Sequence, residues 1–151
     1  MMFMRRWRAA ATAVVAPTGP EALLGTLAVV IVLARLLDIP QPVLVSLAPK
    51  SVTNPIAIEI TASIGGIPAI TAATVIIAGL FGQMAGYKVL KGALYMPSSV
   101  GMSLGTASHA MGIAASLEYG RRMAAYAGLG LTLNGVLTAI LVPILIPLLG
   151  V

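Results

Sequence analysis

Between Lys50 and Gly66 the chain reads KSVTNPIAIEITASIGG, and this stretch limits the available folds more than any other. It is apolar enough to lie in a bilayer, yet it carries Lys50, Ser51, Thr53, Asn54 and Glu59. Pro55 lacks an N–H, so a helix starts there more readily than it passes through. Asn54 then stands at the N-cap and Pro55 at the first helical position. The expected element is a helix that begins inside the membrane, with its N-terminal N–H groups and partial positive charge facing a polar cavity. Transporters use discontinuous helices of this kind to hold small anions near the midplane. The competing reading is a loop followed by a buried helix, whose polar residues only satisfy backbone groups.

A membrane setting follows from what the chain lacks. It is 59% hydrophobic and only 9% charged, whereas soluble domains carry about 25% charged residues. There is too little polar surface here to cover a soluble fold. A length of 151 residues points to one domain. The net charge of +5 is spread between apolar runs without aromatic interleaving. It therefore reads as topology signals rather than a nucleic-acid surface, and no nucleic-acid partner is expected. The chain has no Cys, which excludes disulfides, thiolate metal sites and Cys nucleophiles. A single His with no cluster of carboxylates argues against a metalloenzyme. The expectation is a non-enzyme with no metal and no cofactor.

Taken in order, Met1 to Thr18 is a basic flank with Arg5, Arg6, Trp7 and Arg8, expected on the cytoplasmic side. Residues 20–37 form a first span, with Arg35 near its end able to snorkel. Asp38, Pro40 and Pro42 then break the helix. Ile67 to Gly86 is uncharged and is the clearest span; Ala78, Gly82 and Gly86 give it a small-residue face on which another helix can pack. Tyr87, Lys88 and Lys91 close it at an interface. Pro97 to Glu118 is long enough to cross, but Gly101, Gly105 and Gly112 weaken it, and it carries Ser, Thr and His. It reads as a second interrupted element. Residues 123–149 form a last span, which Pro143 and Pro147 are expected to kink or end.

An offset of 55 residues lays Ser51-Val-Thr53-Asn54 on Thr106-Ala-Ser108-His109. It also pairs Ile58 with Ile113, Gly65 with Gly120, Ala69 with Ala124 and Ala72 with Ala127. In each copy a polar interrupted segment precedes a long apolar span, which is how transporter repeats show themselves. With both interrupted elements re-entrant and the N-terminus in the cytoplasm, seven basic residues lie inside and only Arg35 and Lys50 outside. The expected fold is an all-α integral membrane protein with about three transmembrane helices plus two interrupted, re-entrant helices in an inverted repeat. The repeat units run over about residues 50–86 and 105–149, within a membrane domain spanning 19–151.

The candidate binding residues are Ser51, Thr53 and Asn54 at one helix start, and Thr106, Ser108 and His109 in the other copy. With the helix dipoles they form a site for a small carboxylate. The bland alternative for each is a side chain capping its own helix. Lys50 adds charge for an anion or anchors at an interface. Glu59, an ionisable group on an apolar helix, is a functional candidate by default, for a proton or a sodium ion. Histidine is the side chain whose ordinary charge change falls nearest physiological pH, which makes His109 a second proton candidate. Asn134, within the last span, caps an unwound backbone or bonds across helices. Ser108 and His109, being adjacent and without an orienting carboxylate, are not a catalytic pair.

Three ordered motifs, PKSVTNPIAI (49–58), SIGGIPAITA (63–72) and LGTASHAMG (104–112), resemble the signatures of the LrgB/CidB antiholin-like family over roughly residues 20 to 150. The resemblance implies a multi-pass protein of the bacterial inner membrane, or a plastid-envelope relative carrying glycolate and glycerate. It also implies a holin-like partner of the LrgA/CidA type. Two functional readings result. One is a secondary transporter of small monocarboxylates such as pyruvate or glycolate. The other is an antiholin-like regulator of murein hydrolase export and lysis with no substrate of its own. Homo-oligomerisation is compatible with either. Where the family usually has Thr, this chain has Asn54. The family also carries further spans ahead of the Lys50 motif, where Met1 to Thr18 stands here, so a shortened or partner-dependent form is expected.

Overall fold

The computed structural model describes residues 20–93 and 96–150, so the basic flank expected over residues 1–18 lies outside the described residues. The architecture is all-helical. In chain order the helices are α1 (Pro20–Leu36), α2 (Gln41–Leu47), α3 (Asn54–Ser63), α4 (Pro68–Phe81), α5 (Tyr87–Ala93), α6 (Pro97–Leu117) and α7 (Arg121–Leu148). Proline sets most of the starts. It is the first residue of α4 and α6 and the second of α2 and α3, where its missing N–H has no intrahelical partner to lose.

Three sequence expectations shift in detail. The N-cap of α3 is Thr53, not Asn54, which is already helical. The span expected to end at Gly86 continues instead. A π-helical turn, Gly82–Gly86, joins α4 to α5, and the stretch Pro68–Lys91 is 24 residues of helix long and apolar enough to cross a membrane. Pro143 lies inside α7 without ending it, and the helix stops only one residue past Pro147.

Helix α6 is not straight. His109 sits at φ 44° and ψ −133°, well outside helical values. The bend is so sharp that Gly112 returns against Leu104: a Cβ on Gly112 would overlap the Leu104 carbonyl oxygen. Residues eight apart in a straight helix are about 12 Å apart, so α6 doubles back at His109. Its first half runs beside α7 in the same direction, Gly101 against the Met123 carbonyl and Gly105 against the Ala127 carbonyl. It runs opposite to α4, with Gly86 on Leu104, Gly82 on Ser108 and Gly79 on the His109 ring. The glycines that looked like helix-weakening positions are close-approach positions. The expected small-residue face holds for Gly82 and Gly86, and Gly79 rather than Ala78 continues it.

The segment α2–α3 makes a second reversal at the other end of α4. Thr71, in the first turn of α4, donates its hydroxyl to the Ser46 carbonyl of α2 (2.8 Å) and bonds Thr61 of α3 (2.7 Å). Ser46 accepts the Ile67 N–H (2.6 Å). Both arms therefore lie beside the start of α4, while Val52, between them, packs one turn deeper with Ala57 and Val75. Apolar burial is concentrated at the two ends of α7. Leu27, Val30, Leu44, Val45, Ile60, Val142 and Ile146 cluster at one end, and Leu90, Val100, Leu104 and Met123 at the other.

Candidate functional site

Between those two apolar clusters lies a polar junction. Asn134, at the middle of α7 and 5% exposed, donates its amide to the Ser51 carbonyl (2.9 Å) and to the Thr106 carbonyl (3.2 Å). Ser51 lies at the turn between α2 and α3, and Thr106 in the last turn before the break in α6. One side-chain nitrogen thus holds both broken elements, and the two carbonyl oxygens are within about 6 Å of each other. Carbonyls at a helix end have no partner further along the chain, so an amide that reaches them satisfies groups otherwise costly to bury.

The second fixed point is His109. Its Nε2–H donates to the Val75 carbonyl (2.8 Å), because a carbonyl oxygen only accepts. A helical carbonyl points toward the residue four positions on, which here is Gly79. A Cβ on Gly79 would sit 2.5 Å from His109 Cε1 and 2.6 Å from Nε2. Only glycine there lets the imidazole reach into the helix. Ser108, 2% exposed, is held in the same way against Gly82.

The sequence candidates divide. Ser51, Thr106, Ser108 and His109 come together around Asn134, Val75, Gly79 and Gly82. Thr53 and Asn54 come after Ser51 and the buried Val52; both are half-buried, and the buried Asn54 Oδ1 has no protein hydrogen-bond partner. Lys50 is half-buried with its Nζ 3.5 Å from Ser51 Oγ. The Thr106 hydroxyl turns away, donating to Met102 O in its own helix (2.8 Å), so its carbonyl rather than its side chain faces the junction. Glu59 is exposed on the outer face of α3, while Ala57, Ile60 and Thr61 turn inward. It does not join the others. Sequence reasoning passed over Gly79 and the Ser46–Thr61–Thr71 hydroxyl network. The only local signal for the network was Ser and Thr recurring in otherwise apolar runs.

The outward faces are apolar. Ile77, Phe81 and Met84 on one long helix, and Leu129, Val136, Ile140 and Ile144 on α7, are all more than half exposed. Patches of this extent suit lipid rather than water. With two helices able to cross a bilayer, the class is an all-helical membrane protein built around two broken helices. The chain belongs to the LrgB-like family, whose pattern it matches over residues 3–148. It is 37% identical over 123 residues to the "Antiholin-like protein LrgB" of Bacillus cereus strain B4264, covering 81% of this chain and 54% of that one. The same figures hold for the protein of that name in Bacillus anthracis strain CDC 684. An uncharacterized protein of Haemophilus influenzae is 39% identical over 112 residues, 74% of this chain and 48% of its own length. The chain spans about half the length of these curated relatives. No solved structure matches it.

Proposed function

We propose that the chain is a secondary transporter, or a transporter subunit, for small monocarboxylates such as pyruvate or glycolate, working by alternating access around the two broken elements. The observation that carries this reading is the pair of hydrogen bonds that the Asn134 amide donates to the Ser51 and Thr106 carbonyls, which draws two opposed chain reversals to one polar point halfway along an apolar helix. The ligands are Ser51, Thr53 and Asn54 on one side and Ser108 and His109 on the other; Thr106 belongs to the site through its carbonyl, which the Asn134 amide covers, and is not itself an anion ligand. Lys50 and the N–H groups at the start of α3 supply positive potential for a carboxylate. A proton on His109, or a sodium ion, is the coupling species; Glu59 serves in coupling only through a group covering its outer face.

An inverted repeat underlies this reading. The two carbonyls on Asn134 are 55 residues apart, the offset found in the sequence. At the same offset Thr61 donates to Ala57 O (2.8 Å) and Ser116 to Gly112 O (2.7 Å). Gly65 and Gly120 both take positive φ, 75° and 128°. The two reversals start from opposite ends of α4, as inverted re-entrant hairpins would. The reading keeps a multi-pass inner-membrane setting with Lys88 and Arg121 toward the cytoplasm, one membrane domain over residues 19–151, and a holin-like partner. For a plastid-envelope relative the same geometry applies.

The relatives' name favours a second reading, an antiholin-like regulator of lysis with no substrate. Uptake of labelled pyruvate and glycolate into vesicles containing the purified chain, with and without an LrgA-type partner, separates the two. Saturable uptake that Ser108→Ala lowers supports transport; no uptake in either condition leaves the regulator as the better account.

A further inference from the structure

The Asn134 amide is placed to do more than glue α7 to its neighbours. It has two hydrogens in one plane, and each goes to a carbonyl at a different break in the chain, 83 and 28 residues away. Asn134 is 5% exposed and stands between the two apolar clusters. The His109–Val75 bond ties the α6 break to α4 alone, whereas Asn134 bonds both breaks directly. The neighbouring polar groups are not substitutes. Thr138, one turn on along the same buried stripe, leaves its Oγ1 without a partner, as does Ser103. The Thr106 hydroxyl is turned to Met102.

We infer that Asn134 is the positioning residue of the junction: its single amide sets the spacing between the two broken elements, so that they open and close together rather than independently. As a role in binding this rests on the carboxylate-site reading. The physical consequence does not, because the tie exists whether or not a substrate is carried. A donor-free side chain at position 134 removes the restraint from both breaks at once. A carboxylate there places negative charge between two carbonyl oxygens, which repel it until it takes up a proton. The protonated acid then restores one O–H donor.

The test is amide hydrogen exchange in lipid nanodiscs, with no substrate, on the native chain, Asn134→Leu and Asn134→Asp. In Asn134→Leu the expected result is faster exchange in both 48–54 and 104–112, about tenfold for a net hydrogen bond lost from each, while 70–80 in α4 stays protected. In Asn134→Asp the same two segments exchange faster at neutral pH, corrected for intrinsic rates, and recover protection in at least one of them as the pH falls through the carboxyl titration. A packing role alone would show no such recovery. Faster exchange in only one segment overturns the inference, as does no change in either. Uniform loss of protection along the chain in both variants also overturns it, since a tie between two breaks leaves the long helices formed. If uptake is found, Asn134→Asp raises KM more than it lowers the maximal rate, and acid pH reverses this. Absence of uptake in every form counts against the transporter and leaves the exchange result standing.

Discussion

Gly79→Ala isolates the His109 contact. The new methyl would sit 2.5 to 2.7 Å from His109 Cε1, Nε2 and Met111 Sδ, so the ring must leave the Val75 carbonyl. Losing a net buried hydrogen bond costs about 1 kcal/mol, and stranding the buried N–H costs about 1–3 kcal/mol if no new partner is found. Against this, alanine gains about 1 kcal/mol over glycine in a helix interior. The net expectation is a loss of roughly 1–3 kcal/mol, a drop of about 2–12 °C in melting temperature for a chain of this size. Gly25→Ala is the control: it is helical with nothing within 4 Å of a new Cβ, and it should be neutral or slightly stabilising. Because His109 is the single histidine, imidazole nitrogen NMR on labelled protein in nanodiscs reports it alone. The native spectrum should show a protonated Nε2, and Gly79→Ala should shift both nitrogens. If Gly79→Ala melts at or above the native temperature with an unchanged imidazole spectrum, the ring does not depend on this glycine and the argument is wrong.

Gly105→Ala should destabilise more than Gly79→Ala, because its Cβ overlaps the Ala127 backbone carbonyl, which moves less easily than a ring; melting in nanodiscs checks this. Thr71→Val removes a buried hydroxyl that joins Ser46 and Thr61 and should cost about 1–3 kcal/mol; a melt unchanged from native would count against the network. Ser108→Ala and Thr53→Val should each weaken carboxylate uptake roughly tenfold to a hundredfold with the chain still folded, if each gives one charge-assisted hydrogen bond. Lys88→Cys, the sole thiol in an otherwise Cys-free chain, should resist an impermeant reagent applied outside intact cells; ready labelling would reverse the proposed orientation.

Much of this protein was legible in the sequence because the deciding signals are local. A proline in the first turn fixes where α3, α4 and α6 begin, whatever the rest of the chain does. An uncharged run of span length must be helical in lipid, since no water is there to satisfy its backbone. The interruption near Asn54 was expected from Pro55, and the one near Ser108 from the glycines and polar residues of that run and its 55-residue offset; the chain does break at Ser51–Thr53 and at His109. What tertiary structure alone decided are the contacts between distant residues. Gly79 reads like any helical glycine until a ring from another helix packs on it. Glu59 reads as an ionisable group on an apolar helix, but the faces of α3 are assigned by what packs against them, and Ala57, Ile60 and Thr61 took the inner one. Thr106 looked like a hydroxyl donor, yet in a helix its side chain reaches Met102 O first and leaves the carbonyl at the break to Asn134. An asparagine in an apolar span announces that it needs partners. Which carbonyls it finds depends on two chain reversals, far apart in sequence, arriving at the same point in space.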